Sequence, residues 1–167
     1  WWEEDFTSVG VDRAKRGRMF DEQLEVITRL WTEERVTFEG EHYQLSDMPM
    51  EPKPVQKPHP PIWIGGGVKS IDRTARHGEY ILPFWPSAEE ARAMWIPKLR
   101  EAGEKYGTDP KLATSTFGYV AKDERDFEAN LPRLAAGVAF ADPNTDPLTT
   151  TVSGVPGRCA EQVNALM

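Results

Sequence analysis

The sequence predicts an α/β protein in which parallel strands alternate with helices. A short apolar run at residues 62–64 ends in three glycines and leads into a helix-compatible stretch. A second buried strand is expected at residues 80–83, and a third at residues 113–121, which alternates in polarity and is rich in Thr, Val and aromatic residues. Helical patterns follow both of these strands. Strands separated by helices form βαβ units, whose strands run parallel.

The junction after the first strand is the most informative stretch of the chain. Ile64 ends the apolar run, and Gly65, Gly66 and Gly67 follow it directly. Glycines let the backbone approach a ligand closely, and the first amides of a helix have no intrahelical acceptor. The helix dipole adds partial positive charge there, so a phosphate suits such a turn. The alternative, a plain strand-to-helix turn that binds nothing, is equally consistent with the glycines alone.

Composition narrows the classes of protein that this chain can belong to. Its 167 residues suit one domain, expected to cover residues 1–167. A formal net charge of −7 disfavours binding to nucleic acid. One cysteine, Cys159, rules out an internal disulfide and suits a reducing cytoplasm. No apolar run is long enough to span a bilayer, so we expect a cytoplasmic protein with no membrane partner.

The N-terminal third predicts a helix, a hairpin and an extended arm. The helix covers residues 12–33, with Asp12 as its N-cap. The basic residues in its first turns indicate either a solvated face or an acidic or phosphate partner. A small hairpin pairs residues 36–38 with residues 42–45, where the lone His42 is interpreted as structural or exposed. Six prolines between residues 48 and 61 predict an extended linker.

The remaining elements are expected in a regular order. A short helix beginning at Val68 or Ser70 should end at Gly78, and Ser87 has the sequence of a capping box for the next helix. Pro97 should kink or split that helix, which ends at residues 107–110. A further helix carries an apolar stripe between residues 127 and 138 and contains a proline that should distort it locally. An exposed loop is expected at residues 141–151, and the segment at residues 153–157 leads into the last helix.

The chain offers no residue that can be named as an acid, base or nucleophile, so its catalytic residues stay unknown. Paired glutamates occur at positions 3/4, 33/34 and 89/90, where solvation or helix capping accounts for them. No metal site is proposed, because His59 has no cysteine, histidine or carboxylate near it at the spacing of metal ligands.

Several segments, taken together in this order and spacing, resemble the bacterial luciferase-like monooxygenase family. They are RGRMFDE at 16–22, LWTE at 30–33, VTFEG at 36–40, PKPVQ at 52–56, PHPPIWIGGG at 58–67 and SGVP at 153–156. The resemblance implies a partial (β/α)8 TIM barrel with a small β-hairpin insertion. It implies a flavin-dependent oxidoreductase or monooxygenase that uses FMN or the deazaflavin F420, and that is often dimeric. In such a barrel Gly65, Gly66 and Gly67 would give backbone amides to the cofactor phosphate, with Ile64 as the strand end beneath them.

The chain also departs from the family pattern. We expect it to be the C-terminal part of the barrel, with three good strands, and to lack the N-terminal half and the last strand. The run His77-Gly78-Glu79-Tyr80 differs from the acidic-glycine-aromatic sequence usual after the short helix. Three hypotheses follow: part of a flavin-dependent enzyme, a binding module without turnover, or a half-barrel that only assembles with another copy or with a missing half.

Overall fold

A computed structural model describes residues 2–84, 86–139 and 146–166. The chain divides into two compact units, Trp1–Ile62 and Trp63–Met167. Organisation as a single domain therefore stays a prediction. Within the described residues every helix is too short or too polar to cross a membrane.

The first unit consists of helices followed by a two-stranded antiparallel sheet. Its elements are α1 (Glu3–Thr7), a 3-10 turn (Arg13–Lys15), α2 (Arg16–Thr32), β1 (Arg35–Glu39) and β2 (Gln44–Pro49). The predicted helix at residues 12–33 and the predicted hairpin are confirmed. The Asp12 carboxylate accepts a hydrogen bond from the backbone N–H of Ala14 at 2.8 Å, as expected for a cap.

One glutamate of α2 holds the tip of the hairpin. The Glu22 carboxylate accepts hydrogen bonds from the backbone N–H groups of Glu41, His42 and Tyr43, at 2.9, 2.8 and 3.1 Å. Burial raises the pKa of Glu22, but these three donors outweigh it and hold the pKa below its usual value. The hairpin is thereby fixed to the helix that precedes it in sequence.

Two of the basic residues around the start of α2 have acidic partners within the chain. Arg13 pairs with Glu3 and Arg18 pairs with Glu41, both at 3.3 Å and both with exposed side chains. Exposed pairs of this kind contribute little stability. The interpretation as a solvated face thus accounts for these cations without an external ligand.

The proline-rich arm returns to the end of α2. The ammonium of Lys53 donates to the carbonyl oxygens of Leu30 at 2.9 Å and of Glu33. Carbonyls in the last turn of a helix have no intrahelical donor, and a cation suits the negative end of the dipole. Lys53 thus caps α2 from the arm.

The second unit contains parallel strands connected by helices, as predicted. Its elements are β3 (Trp63–Gly65), a 3-10 turn (Val68–Ser70), α3 (Ile71–His77), β4 (Tyr80–Leu82), α4 (Ala88–Glu90), a π-helical turn (Ala91–Trp95), α5 (Ile96–Tyr106), β5 (Lys111–Leu112), β6 (Gly118–Val120), α6 (Glu124–Ala139), α7 (Pro147–Thr150), β7 (Val152–Gly154) and α8 (Pro156–Leu166). One sheet has the order β3-β4-β5 and another pairs β6 with β7, all in parallel.

The expectation of three strands in this region is wrong. Only residues 118–120 of the predicted third strand, 113–121, form a strand, β6; a gap at residues 113–117 separates it from β5, which precedes the predicted segment. β7 is an additional strand beyond the three expected. In this gap the Thr116 hydroxyl donates to the carbonyls of Phe117 and Thr150. Such side-chain hydrogen bonds compete with the backbone hydrogen bonds that would continue the strand.

A core of aliphatic and aromatic side chains lies between β4, α3 and the α5 region. It consists of Ile71, Ile81, Trp95 and Leu99, all at most 5% exposed. On the opposite face of the sheet, Trp63 is 56% exposed and stacks on Tyr80 with ring centroids 4.5 Å apart. The strands therefore bury one face and expose the other.

Pro97 splits the long helix, as expected. It lies in the first turn of α5, directly after the π-helical turn. A proline inside an α-helix lacks an N–H and clashes with the carbonyl four residues back, and a widened turn before it relieves both problems. The Ser87 hydroxyl accepts a hydrogen bond from the Glu90 N–H and caps the helical run, as the sequence predicted.

The predicted loop at residues 141–151 is corrected in part. Residues 141–145 lie outside the described residues, whereas α7 occupies Pro147–Thr150. Asp146 caps this helix by accepting from the Leu148 N–H at 2.9 Å. The last helix, α8, is confirmed.

Candidate functional site

The glycine turn joins β3 to the helical segment that begins at Val68. Ile64 is 1% exposed and lies in β3 beside Ile81 of β4. Gly65 is the last residue of the strand and pairs with Leu82. The turn thus stands at the carboxyl end of a parallel strand, the edge at which α/β barrels carry their active sites.

Gly66 adopts a conformation that other residues rarely take. Its φ is +156°, and a Cβ at this position would lie 2.3 Å from the Ser70 hydroxyl oxygen. Its N–H donates to the Leu82 carbonyl at 3.2 Å, which continues the β3–β4 ladder by one residue. Because the N–H is used in this way, Gly66 shapes the turn rather than offering a donor to a ligand.

The donors available at the turn come from the residues that follow Gly66. Gly67 caps the 3-10 turn with an extended backbone, and its carbonyl accepts from the Ser70 N–H at 2.8 Å. The amides of Val68 and Lys69 lie in the first turn, where no intrahelical acceptor is possible. A Cβ at Gly67 would meet no atom within 4 Å. The structure therefore shows an open approach to a short run of backbone donors.

The acidic residue nearest to this turn on α3 is neutralised by residues of α3 and α5. Asp72 accepts hydrogen bonds from Lys105 at 2.9 Å and Tyr106 at 2.8 Å, and pairs with Arg76 at 3.1 Å. The bonds from Lys105 and Tyr106, with the charge of Arg76, hold the pKa of Asp72 below its usual value. Its charge is thus balanced, which leaves the helix N-terminus favourable to an anion.

Sequence reasoning missed two contributors to the turn. Ser70 occupies the space that a side chain at Gly66 would need, and the Leu82 carbonyl fixes the Gly66 amide. A serine four residues after a glycine is a weak local signal, and the pairing with β4 depends on tertiary structure. Neither could be assigned from spacing alone.

The comparison with known proteins decides the family. A family model described as luciferase-like monooxygenase matches residues 1–148. The chain belongs to this family. It is 26% identical over 147 residues to an FMNH2-dependent dimethylsulfone monooxygenase of Pseudomonas putida, a match covering 86% of this chain and 39% of that protein. It is 35% identical over 106 residues to an F420-dependent glucose-6-phosphate dehydrogenase of Kineococcus radiotolerans, covering 60% of this chain and 31% of that protein.

A solved structure confirms the fold class. The monooxygenase RslO1 from Streptomyces bottropensis superposes with a TM-score of 0.77 at 21% identity, covering 98% of this chain and 54% of that one. The fold is therefore a partial luciferase-like TIM barrel, as predicted. The chain spans about half or less of the length of these relatives.

Proposed function

We propose that this luciferase-like chain forms the cofactor-phosphate site of an oxidoreductase that uses FMN or F420. The observation that carries the proposal is the glycine turn at the carboxyl end of β3. Gly66 keeps a positive φ there, and open backbone donors follow it. A cradle that a side chain would fill fits the approach of a phosphate to a backbone.

Each residue of the turn has a separate part in the proposed site. The buried side chain of Ile64 anchors the end of β3, and Gly65 forms the last strand pair, with Leu82, at the edge of the sheet. Gly66 turns the chain, and Gly67 with the amides that follow would hold the phosphate. When bound, FMN or F420 supplies the redox chemistry, while the protein binds and orients it.

The two cofactors remain as alternatives within one proposal. The Pseudomonas relative is named for FMNH2 and the Kineococcus relative for F420. FMN would support a monooxygenase, and F420 a hydride-transfer oxidoreductase. We propose a small organic substrate in either case, a cytoplasmic location, and assembly either as a homo-oligomer or with the remainder of a barrel.

The Gly67→Val variant tests the phosphate site. The added side chain meets no protein atom at its Cβ but stands at the open turn. We expect FMN to bind about tenfold more weakly, which corresponds to about 1.4 kcal/mol, while riboflavin, which lacks the phosphate, binds as it does to the parent chain. Flavin fluorescence quenching measures both affinities.

Gly137→Val is the matched control. Gly137 lies in α6, and a Cβ there also meets nothing within 4 Å. This variant should bind FMN like the parent. Unchanged FMN affinity in Gly67→Val would contradict the proposed site. No flavin or F420 binding by the parent chain would favour an assembling half-barrel without a cofactor.

A further inference from the structure

We propose that a threonine-rich cavity in the second unit is a subsite for a small, uncharged, polar substrate group. The cavity has a volume of about 140 Å³. One buried water needs about 10–15 Å³ on this scale, so a molecule of several non-hydrogen atoms fits. The inference rests on the proposed function, because it assigns the cavity to the substrate of the same reaction.

Part of the cavity lining follows two strands of the sheet that carries the glycine turn, and the rest lies on α7, at the start of β7 and on α8. Pro86 and Ala88 line it and follow β4, while Thr114 and Thr116 line it and follow β5. Because β3, β4 and β5 are parallel neighbours, their carboxyl ends meet at one edge. Adjacent strands lie about 4.8 Å apart, which puts the β5 end about 10 Å from the β3 end. The cavity and the glycine turn can therefore serve one reaction.

The lining supplies hydrogen bonds without charge. Five of its eleven residues are threonines, and the others are Pro, Ala, Leu, Val and Gln, so none is ionisable. A charged group that enters this partly open cavity gives up part of its hydration and gains no opposite charge from the lining. The lining therefore favours a neutral guest over an ion of the same shape.

The orientation of the hydroxyls determines what the cavity offers. Thr116 donates to the Thr150 carbonyl at 2.7 Å, and Thr151 donates to the Pro147 carbonyl at 2.6 Å. Thr149 and Thr150 both donate to the Asp146 carbonyl. With their protons committed in this way, the hydroxyl oxygens of Thr116, Thr149 and Thr150 remain as acceptors, whereas that of Thr151 is engaged with the Ser153 hydroxyl. A guest that carries an O–H or N–H group satisfies them.

Gln162 provides the complementary donor. Its Oε1 accepts from the Ser153 N–H at 2.8 Å, which fixes the amide plane. Its Nε2 has no acceptor among the described residues, and a side-chain amide nitrogen carries two N–H donors. A guest that both donates and accepts, such as a primary amide or an alcohol, therefore matches the cavity best.

A charge series of nearly isosteric probes tests this inference on the full chain. Acetamide is neutral, acetate carries a negative charge and acetamidinium a positive one. We expect acetamide to shift the Gln162 side-chain amide resonance saturably in ¹H–¹⁵N NMR spectra, with a Kd in the millimolar range usual for so small a ligand. Acetate and acetamidinium should bind at least about tenfold more weakly.

Gln162→Glu and Asn164→Asp form a matched pair of variants. Both replace an amide by a carboxylate on α8, but Gln162 lines the cavity whereas Asn164 is exposed and does not. Glu at position 162 can still accept from Ser153 but offers no N–H. We expect Gln162→Glu to weaken acetamide binding about tenfold and Asn164→Asp to leave it unchanged.

Several results would overturn the inference. These are acetate or acetamidinium binding as well as acetamide, an acetamide titration that leaves Gln162 unshifted, or equal effects of the two variants. FMN binding measured on the same sample separates the two proposals. If the chain binds FMN but not acetamide, only the proposed subsite is refuted. If it binds acetamide but neither FMN nor F420, the proposed function is refuted.

Discussion

Replacing Gly66 by alanine should destabilise the second unit by an amount that the geometry of the turn sets. A φ of +156° is a conformation that residues with a side chain rarely adopt, and such strain costs about 1–3 kcal/mol. The new Cβ would also lie 2.3 Å from the Ser70 hydroxyl oxygen, so Ser70 must leave its rotamer at a cost of about 0.5–1.5 kcal/mol. Together these two costs should lower the free energy of unfolding by about 2–4 kcal/mol.

Thermal unfolding followed by circular dichroism measures this loss. In a chain of this size 1 kcal/mol corresponds to about 2–4 °C, so we expect Tm to fall by roughly 5–15 °C. Gly67→Ala is the control, because its backbone is extended and its Cβ would meet nothing within 4 Å. It should unfold within about 0.5 kcal/mol of the parent.

A double-mutant cycle separates the two costs. Adding Ser70→Ala to Gly66→Ala removes the clashing hydroxyl but not the backbone strain, so about 0.5–1.5 kcal/mol should return. A Gly66→Ala variant as stable as the parent would refute the reasoning, since it would show that the turn tolerates an ordinary side chain. Full recovery in the double variant would show that the backbone conformation costs nothing.

Two further predictions concern pH and assembly. Because the pKa of Asp72 is lowered in the folded chain, its ion pairs stabilise the fold at pH values above its ordinary pKa of 3.8, and this stability is lost as the pH falls through the lower pKa of the folded state. Below about pH 4 the stability of the parent should therefore decline more steeply than that of Asp72→Asn. Acid titrations followed by fluorescence measure this difference. The outer edges of β3 and β5 in the three-stranded sheet, together with the exposed Trp63, favour association, so sedimentation at micromolar concentration should show species larger than a monomer. A sharp monomer that unfolds cooperatively would contradict this.

Much of the fold could be predicted because its signals are local. The Asp12 and Ser87 caps, the stop at Gly107 and the stripe of α6 each depend on a few consecutive residues. Gly107 has a φ of +68°, the left-handed conformation typical of a helix end. The alternation of strands with helices then determined the class.

The rest depends on tertiary contacts. β7 contains Ser153, which is fully buried although polar, because its hydroxyl forms a hydrogen bond with the Thr151 hydroxyl and its N–H donates to Gln162. A strand of three residues, Val-Ser-Gly, is too short to show an alternating apolar pattern, so the sequence alone does not predict it. At the candidate site the three glycines can be predicted from the sequence. Which of them shapes the turn and which leaves it open depends on Ser70 and Leu82, and only the folded chain brings these two residues to the glycines.

The Lys53 cap has a consequence for how this part of the chain can vary in length. Its ammonium reaches the carbonyls of Leu30 and Glu33, so the chain returns to the end of α2 after an excursion through the hairpin. An excursion whose two ends meet can gain or lose residues at a cost that grows only with the logarithm of its length, about 0.6 kcal/mol for each doubling. Changes of length within residues 34–52 therefore leave the path into the proline arm the same, provided that they keep the buried Val36 and Phe38 and the Glu22 bonds that fix the hairpin to α2.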